Sequence, residues 1–182
     1  MEQLRDFIKR ISNMYHEDNP FHNFEHASHV TMSSIKLLSR IVAPENIDYR
    51  RDNIEGVAED LHNHTFGITS DPLAQFAVTF SALIHDVDHT GVPNNQVAKE
   101  NPELGVRYKQ QSIAEQNSVD IAWNLLMEPK YKKLQQIILT DVRELQRFRQ
   151  YVVNLVTATY IFNKDIKAVS YPPLTIPKTY TA

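Results

Sequence analysis

Two short segments concentrate side chains able to hold a cation. Residues 82–94, ALIHDVDHTGVPN, end an apolar run in two histidines and two aspartates. His85 and His89 are four apart and Asp86 and His89 three apart, so each pair would share a face of a helix. Neutral imidazole and carboxylate suit zinc, iron, manganese or magnesium, according to their proportions. An adjacent histidine-aspartate pair can give its imidazole to one metal while its carboxylate bridges to a second. The competing reading is a solvated helix end closed by Gly91, yet carboxylates at a helix C-terminus oppose the macrodipole and need compensation. In residues 21–30, FHNFEHASHV, His22, His26 and His29 stand at i, i+4 and i+7. That spacing gathers three imidazoles along one side of a helix. A lone histidine is ordinarily a core or surface group; three together with a second histidine-aspartate cluster point to a shared site.

The composition limits what such a site can be. There is no cysteine, which excludes disulfides and thiolate zinc sites and leaves imidazole and carboxylate as the metal donors. A formal net charge of -3 argues against a nucleic-acid partner. The start, MEQLRDFIKRISNMYHEDNP, is amphipathic and charged rather than a signal peptide, and no apolar run reaches bilayer length. A cytoplasmic location is expected. At 182 residues with 42% hydrophobic content, the chain can bury a core as one domain or part of a larger one.

The elements that must position these residues read as helices almost throughout. Leu4, Phe7, Ile8, Ile11, Met14 and Tyr15 form one stripe, broken by Pro20. A second helix is expected over about 23–42, with Val30, Leu37, Leu38, Ile41 and Val42 inward and Pro44 ending it. Residues 44–71 read as a long polar connection with a short helix near 54–61. Asp71-Pro72 supplies an N-cap and a first-turn proline for a helix that runs up to the His85 cluster, with Gly91 and Pro93 marking its exit. Ser112 and Glu115 have capping-box spacing and open another helix; 131–139 gives a short one. Asp141 and Glu144 repeat the pattern before a helix to roughly residue 163. No segment alternates like a strand, so the fold class is all-α. His62 and His64 read as surface residues, Trp123 as core, and Lys130, Lys132 and Lys133 as a solvated face.

Both histidine segments resemble signatures of the class I 3′,5′-cyclic-nucleotide phosphodiesterases, within the larger group of histidine-aspartate metal phosphohydrolases. The first signature, an aromatic residue, His-Asn, two variable residues and His-Ala, is matched by residues 21–27. The second, His-Asp-x-x-His-x-Gly-x-x-Asn, is matched by His85, Asp86, His89, Gly91 and Asn94. Residues 106–126 look like the region that follows, with Glu115 on the family's site glutamate; the resemblance covers about 15–165. It implies an irregular multi-helix phosphodiesterase fold, of which 1–165 would be the N-terminal portion and 166–182 an irregular tail. It implies hydrolysis of cyclic AMP or cyclic GMP to the 5′-monophosphate by a metal-activated hydroxide, with two divalent ions, zinc and magnesium or manganese. Carried over by position, His22 is the general acid; His26, His85 and Asp86 are metal ligands, Asp86 bridging. His89, Asn94 and Glu115 belong to the surrounding hydrogen-bond network, and for Glu115 the capping-box role with Ser112 stands beside that one.

The chain also departs from the pattern. His29 stands where the family usually has aspartate, Ser118 where it has histidine, and Tyr160 where it has aspartate after threonine. The family's last metal-ligand aspartate and its purine-gripping glutamine find no counterpart after residue 163, where Asp165 does not fit. The expectation is a C-terminally truncated piece of a larger, multidomain protein, with apolar faces around Phe148, Val152 and Leu155 left exposed. A metal-binding or decoy module without turnover, and a general phosphohydrolase of the wider group, are the alternatives.

Overall fold

The computed structural model describes residues 2–42 and 54–160. Over these the chain forms nine α-helices and no strand. They are α1 (Glu2–Ser12), α2 (Phe24–Val42), α3 (Ile54–His64), α4 (Pro72–Ile84), α5 (Asn94–Glu100), α6 (Pro102–Arg107), α7 (Ile113–Leu126), α8 (Lys132–Ile138) and α9 (Val142–Thr157). Single 3-10 turns, Ile68–Ser70 and Pro129–Tyr131, precede α4 and α8. None of the described helices is long and apolar enough to cross a membrane. The all-α expectation holds.

The central element is α4, which packs chiefly against α2 on one side and α9 on the other. Its start follows from its sequence. Asp71 Oδ1 accepts the Ala74 N–H at 3.0 Å, and Pro72 occupies the first turn, where its missing donor costs nothing. The same Asp71 carboxylate pairs with Arg147 of α9, fixing the two helices at that end. Along α4, Ala77, Phe80 and Ile84 are buried in the same core as Phe148 and Val152 of α9, which are 0% and 1% exposed. Phe148 stacks on Phe76 at 5.6 Å and tilts against Phe80 at 5.4 Å, between ring centroids. From α1, Phe7 reaches this core and meets the Tyr131 ring edge-on at 5.5 Å. Hydrophobic burial on this scale is the main force holding α4 in place, and the C-terminal end of α4 is where the candidate site begins.

Several expectations need correcting. Phe148 and Val152 are not exposed, because α4 and α7 already cover the apolar side of α9; only Leu155 of that trio is half-buried. Leu37 is 60% exposed rather than inward. The covered stripe of α2 runs through Ala27, Thr31, Ser34, Leu38 and Ile41, and Leu37 falls off its edge with Met32 and Ile35. The last helix ends at Thr157, not near 163. The two short helices α5 and α6 lie where no element was expected, between Pro93 and the start of α7. Trp123 is half-buried against Phe148, and Lys132 and Lys133 are exposed, as expected, while Lys130 pairs with Asp6 at 2.7 Å. The expected tail at 166–182, Asp165 and the whole of the 44–53 stretch lie outside the described residues.

Candidate metal centre

Two chain segments converge at the C-terminal end of α4. The helix runs out into a turn in which Val87 N–H reaches Ile84 O at 3.1 Å and His89 N–H reaches Asp86 O at 3.1 Å. Asp88 takes a left-handed backbone, φ 61°. The outer side of the turn is fastened by its neighbours. Asp88 N–H donates to Met14 O at 3.0 Å, and its carboxylate takes His16 Nε2 and Asn117 Nδ2, each at 3.1 Å. Ser118, fully buried, donates its hydroxyl to Val87 O at 2.6 Å. With the outer side held in this way, His85 and Asp86, 8% and 7% exposed, approach the second segment.

That segment is the entry to α2. Asn23 Oδ1 accepts the His26 N–H at 2.9 Å, a side-chain N-cap that sets His26 in the first turn. His22 therefore precedes the helix instead of sharing its face with His26 and His29. Asp86 Oδ2 is the meeting point: His22 Nδ1 lies 2.9 Å away, His85 Nε2 3.0 Å and His26 Nε2 3.8 Å. Two donor groups result, His26–His85–Asp86 and His22–Asp86–His89, each with its atoms within 4.8 Å of one another. They share the Asp86 carboxylate. His29 is exposed and belongs to neither group, and His62 and His64 lie elsewhere, His62 on Ser70 Oγ at 2.7 Å.

Tautomers separate the two groups. His85 Nδ1 lies 3.0 Å from Ala82 O, and a carbonyl only accepts, so Nδ1 carries hydrogen. The lone pair of a neutral His85 is then on Nε2, pointed at a carboxylate oxygen. Two acceptors 3.0 Å apart are satisfied by a second proton or by a cation at that corner. In the cation-free chain the proton serves. Burial alone would lower the His85 pKa, but the Asp86 hydrogen bond and charge outweigh it and raise it. Burial likewise would raise Asp86, but His85 and then His22 hold it at about 2. His26 is lowered, first by burial and then by the charge of His85. One imidazole with its back nitrogen fixed, one neutral imidazole and one ionised carboxylate form a donor set that fits a divalent cation. His89 differs. Its Nδ1 accepts the Gly91 N–H at 2.9 Å, so the neutral ring carries hydrogen on Nε2. Its ring stacks on His22 at 3.8 Å, and burial, followed by the His22 charge, lowers its pKa.

Asn94 and Glu115 form a strut behind the turn. Asn94 Nδ2 donates to Glu115 Oε2 at 2.9 Å, and Asn94 Oδ1 accepts the Ala114 N–H at 2.8 Å. Glu115 thus bonds to Asn94, and the capping box with Ser112 is not formed. Ser112 sits at the cap position, φ 41°, without a side-chain cap, and Asn94 caps α7 from a distance. Sequence reasoning missed Asn19, Asp88 and Asn117. Asn19-Pro20 signals only a turn, and nothing in the pattern around Asp88 or Asn117 marks a partner from another helix.

Comparison with known proteins identifies the family. Residues 21–165 match the 3′5′-cyclic nucleotide phosphodiesterase family. The chain is 28% identical over 176 residues to a high affinity cAMP-specific and IBMX-insensitive 3′,5′-cyclic phosphodiesterase 8A of Mus musculus, spanning 93% of this chain and 18% of that protein. To a 3′,5′-cyclic-AMP phosphodiesterase, isoform F, of Drosophila melanogaster it is 29% identical over 156 residues, 85% of this chain and 19% of that one. The chain thus spans about a fifth of the length of these relatives. The crystal structure of the phosphodiesterase domain of Salpingoeca rosetta rhodopsin phosphodiesterase superimposes with a TM-score of 0.61 and 25% identity, over 87% of this chain and 40% of that one. With the matched family region extending over both histidine segments and the helices that carry them, this chain belongs to the 3′,5′-cyclic nucleotide phosphodiesterase family.

Proposed function

We propose that the protein hydrolyses a 3′,5′-cyclic nucleotide, cyclic AMP in the first place, to the 5′-monophosphate. The observation that carries this reading is one carboxylate oxygen, Asp86 Oδ2, approached by imidazoles from two segments 64 positions apart. The preference for cyclic AMP rests on what the relatives from Mus musculus and Drosophila melanogaster are named for. His26, His85 and Asp86 are assigned as metal ligands, with Asp86 between two sites. Zinc together with magnesium or manganese are the proposed ions. When bound, such ions supply charge against the phosphate oxygens and make water more acidic.

The remaining roles belong to the chain's own groups. The His22 Nδ1 hydrogen is engaged by Asp86, so a proton for transfer is carried on Nε2. As the oxygen of a water bonds to phosphorus and the P–O3′ bond breaks, His22 Nε2 gives its proton to the departing 3′-oxygen, and the proton that the water sheds passes to solvent, from which His22 is reprotonated. General acid help of this kind is typically worth about 10²- to 10⁴-fold. His89 orients His22 through the stack, and the Asn94–Glu115 strut holds the turn that carries His89. Asp86 keeps the ring of His22 from swinging out of line.

The test is metal analysis of the purified chain with turnover of cyclic AMP, cyclic GMP and a simple phosphate ester. Bound metal with cyclic-nucleotide turnover, abolished by chelation and restored by zinc plus magnesium, is expected. Turnover of the simple ester alone would move the protein to the wider phosphohydrolase group. Bound metal without any turnover would make it a binding module.

A further inference from the structure

The two site segments come from helices far apart in sequence, and one buried side chain outside both motifs joins them. Asn19 is 7% exposed. Its Oδ1 accepts the backbone N–H of Phe21 at 3.1 Å and of His22 at 3.0 Å. Its Nδ2 donates to the backbone carbonyl of His89 at 3.0 Å. Its own carbonyl accepts Asn23 Nδ2 at 3.0 Å, so it also steadies the residue that caps α2. Both ends of the amide are thus spent, the acceptor on the segment that carries His22 and the donor on the turn that carries His89.

We infer that Asn19 is a positioning residue, whose amide sets the His22 ring in register with Asp86 and His89. The inference rests on the reading of His22 given above and deepens it. The contacts close a ring. Asn19 grips the His22 backbone and the His89 carbonyl; the Gly91 N–H orients the His89 imidazole at 2.9 Å; that imidazole stacks on His22 at 3.8 Å. Gly91 is part of the arrangement. Its φ is 84°, and a Cβ there would lie 3.2 Å from Asn19 Nδ2, so a side chain would press on the amide. Asparagine is specified over aspartate for a simple reason. A carboxylate could still accept the two N–H groups, but it would set a second acceptor against the His89 carbonyl.

The experiment compares Asn19→Ala, Asn19→Asp and His22→Ala in the full chain by amide hydrogen exchange, metal content and turnover of two diesters. Cyclic AMP has an alkoxide leaving group that needs a proton; bis(p-nitrophenyl) phosphate has an aryloxide that does not. In Asn19→Ala the Phe21 and His22 amides should exchange about tenfold faster, with the amides of α4 and α9 unchanged. Cyclic AMP turnover should fall about 10²-fold, as for a misplacement near 1 Å, at unchanged metal content. Aryl diester turnover should stay within about threefold, because His22 is not needed as an acid there. Asn19→Asp should keep the two amides protected and still lose cyclic AMP turnover, since only the tie to His89 is gone. Unchanged exchange at Phe21 and His22 in Asn19→Ala overturns the inference, as does an equal loss on both diesters, which would report general loosening. Should Asn19→Ala fail to fold, full cyclic AMP turnover in Asn19→Asp overturns it. If His22→Ala affects both diesters alike, the reading of His22 as an acid fails; the exchange data, which need no turnover, still decide whether Asn19 holds the segment.

Discussion

Asp86 Oδ2 has fewer good acceptor directions than the imidazoles that crowd it, and the distances rank them. His22 and His85 lie at hydrogen-bond range, 2.9 and 3.0 Å, and His26 stands off at 3.8 Å. A cation among Asp86, His85 and His26 would take one lone pair from each, that of His85 after displacing its proton. Asp86→Ala and His26→Ala should therefore strip metal from the protein, read by elemental analysis after desalting. His22→Ala should retain it and lose about 10²- to 10⁴-fold in cyclic AMP turnover. Equal metal content in all three variants would refute these assignments. Protonation supplies a separate check. The His85 pKa is raised, so below that value the ring is protonated and a metal must displace the proton; above it there is none to displace. His26, lowered where His85 is raised, loses its proton at the lower pH of the two. Calorimetry of metal binding in buffers of different ionisation enthalpy should show proton release that declines as pH rises, with affinity rising until release ends. Proton release that grows with pH would contradict the tautomer argument for His85.

The helix ends, more than the helix bodies, decide which side chains meet, and they were unevenly legible. Asp71-Pro72 announced α4 because cap and first-turn proline act within a few residues, and Asp141 announced α9 for the same reason. The two histidine segments were readable because each motif is contiguous. Helices of seven and six residues, α5 and α6, are too short for a hydrophobic period to stand out, and went unseen. At α7 the local signal misled. Ser112 and Glu115 have the spacing of a capping box, but the cap comes from Asn94, 20 positions back, and Glu115 turns to the same asparagine. Asn19 escaped notice because a turn asparagine is ordinary until its partner at His89 is placed beside it. The α7 start can be tested directly. Ser112→Ala should lower the unfolding free energy, read by denaturant titration, by no more than about 0.5 kcal/mol, since there is no side-chain cap to lose. Asn94→Ala removes the cap and leaves Glu115 without that donor, and should cost about 1–2 kcal/mol. A larger effect at Ser112 than at Asn94 would show that α7 is capped locally after all.

The core and the site are joined through α4, whose flank packs on α9 and whose end carries His85 and Asp86. Phe148 is the hub of that packing, fully buried between Phe76 and Phe80 of α4 and Trp123 of α7. Phe148→Ala should cost about 3–5 kcal/mol, a large part of the stability of a domain this size. The loss acts on the same folded state that binds metal, so a cation should recover some of it by mass action. At about one hundred times its dissociation constant, a ligand specific to the folded state adds about 2.7 kcal/mol. Phe148→Ala should accordingly unfold at a much lower urea concentration than the parent when metal-free, and regain part of the difference when zinc is added. The control is the same pair of measurements with Asp86→Ala, where the shared carboxylate is gone and zinc should recover little. If zinc stabilises Phe148→Ala as strongly without Asp86 as with it, the ion is binding elsewhere, and the end of α4 is not the metal centre.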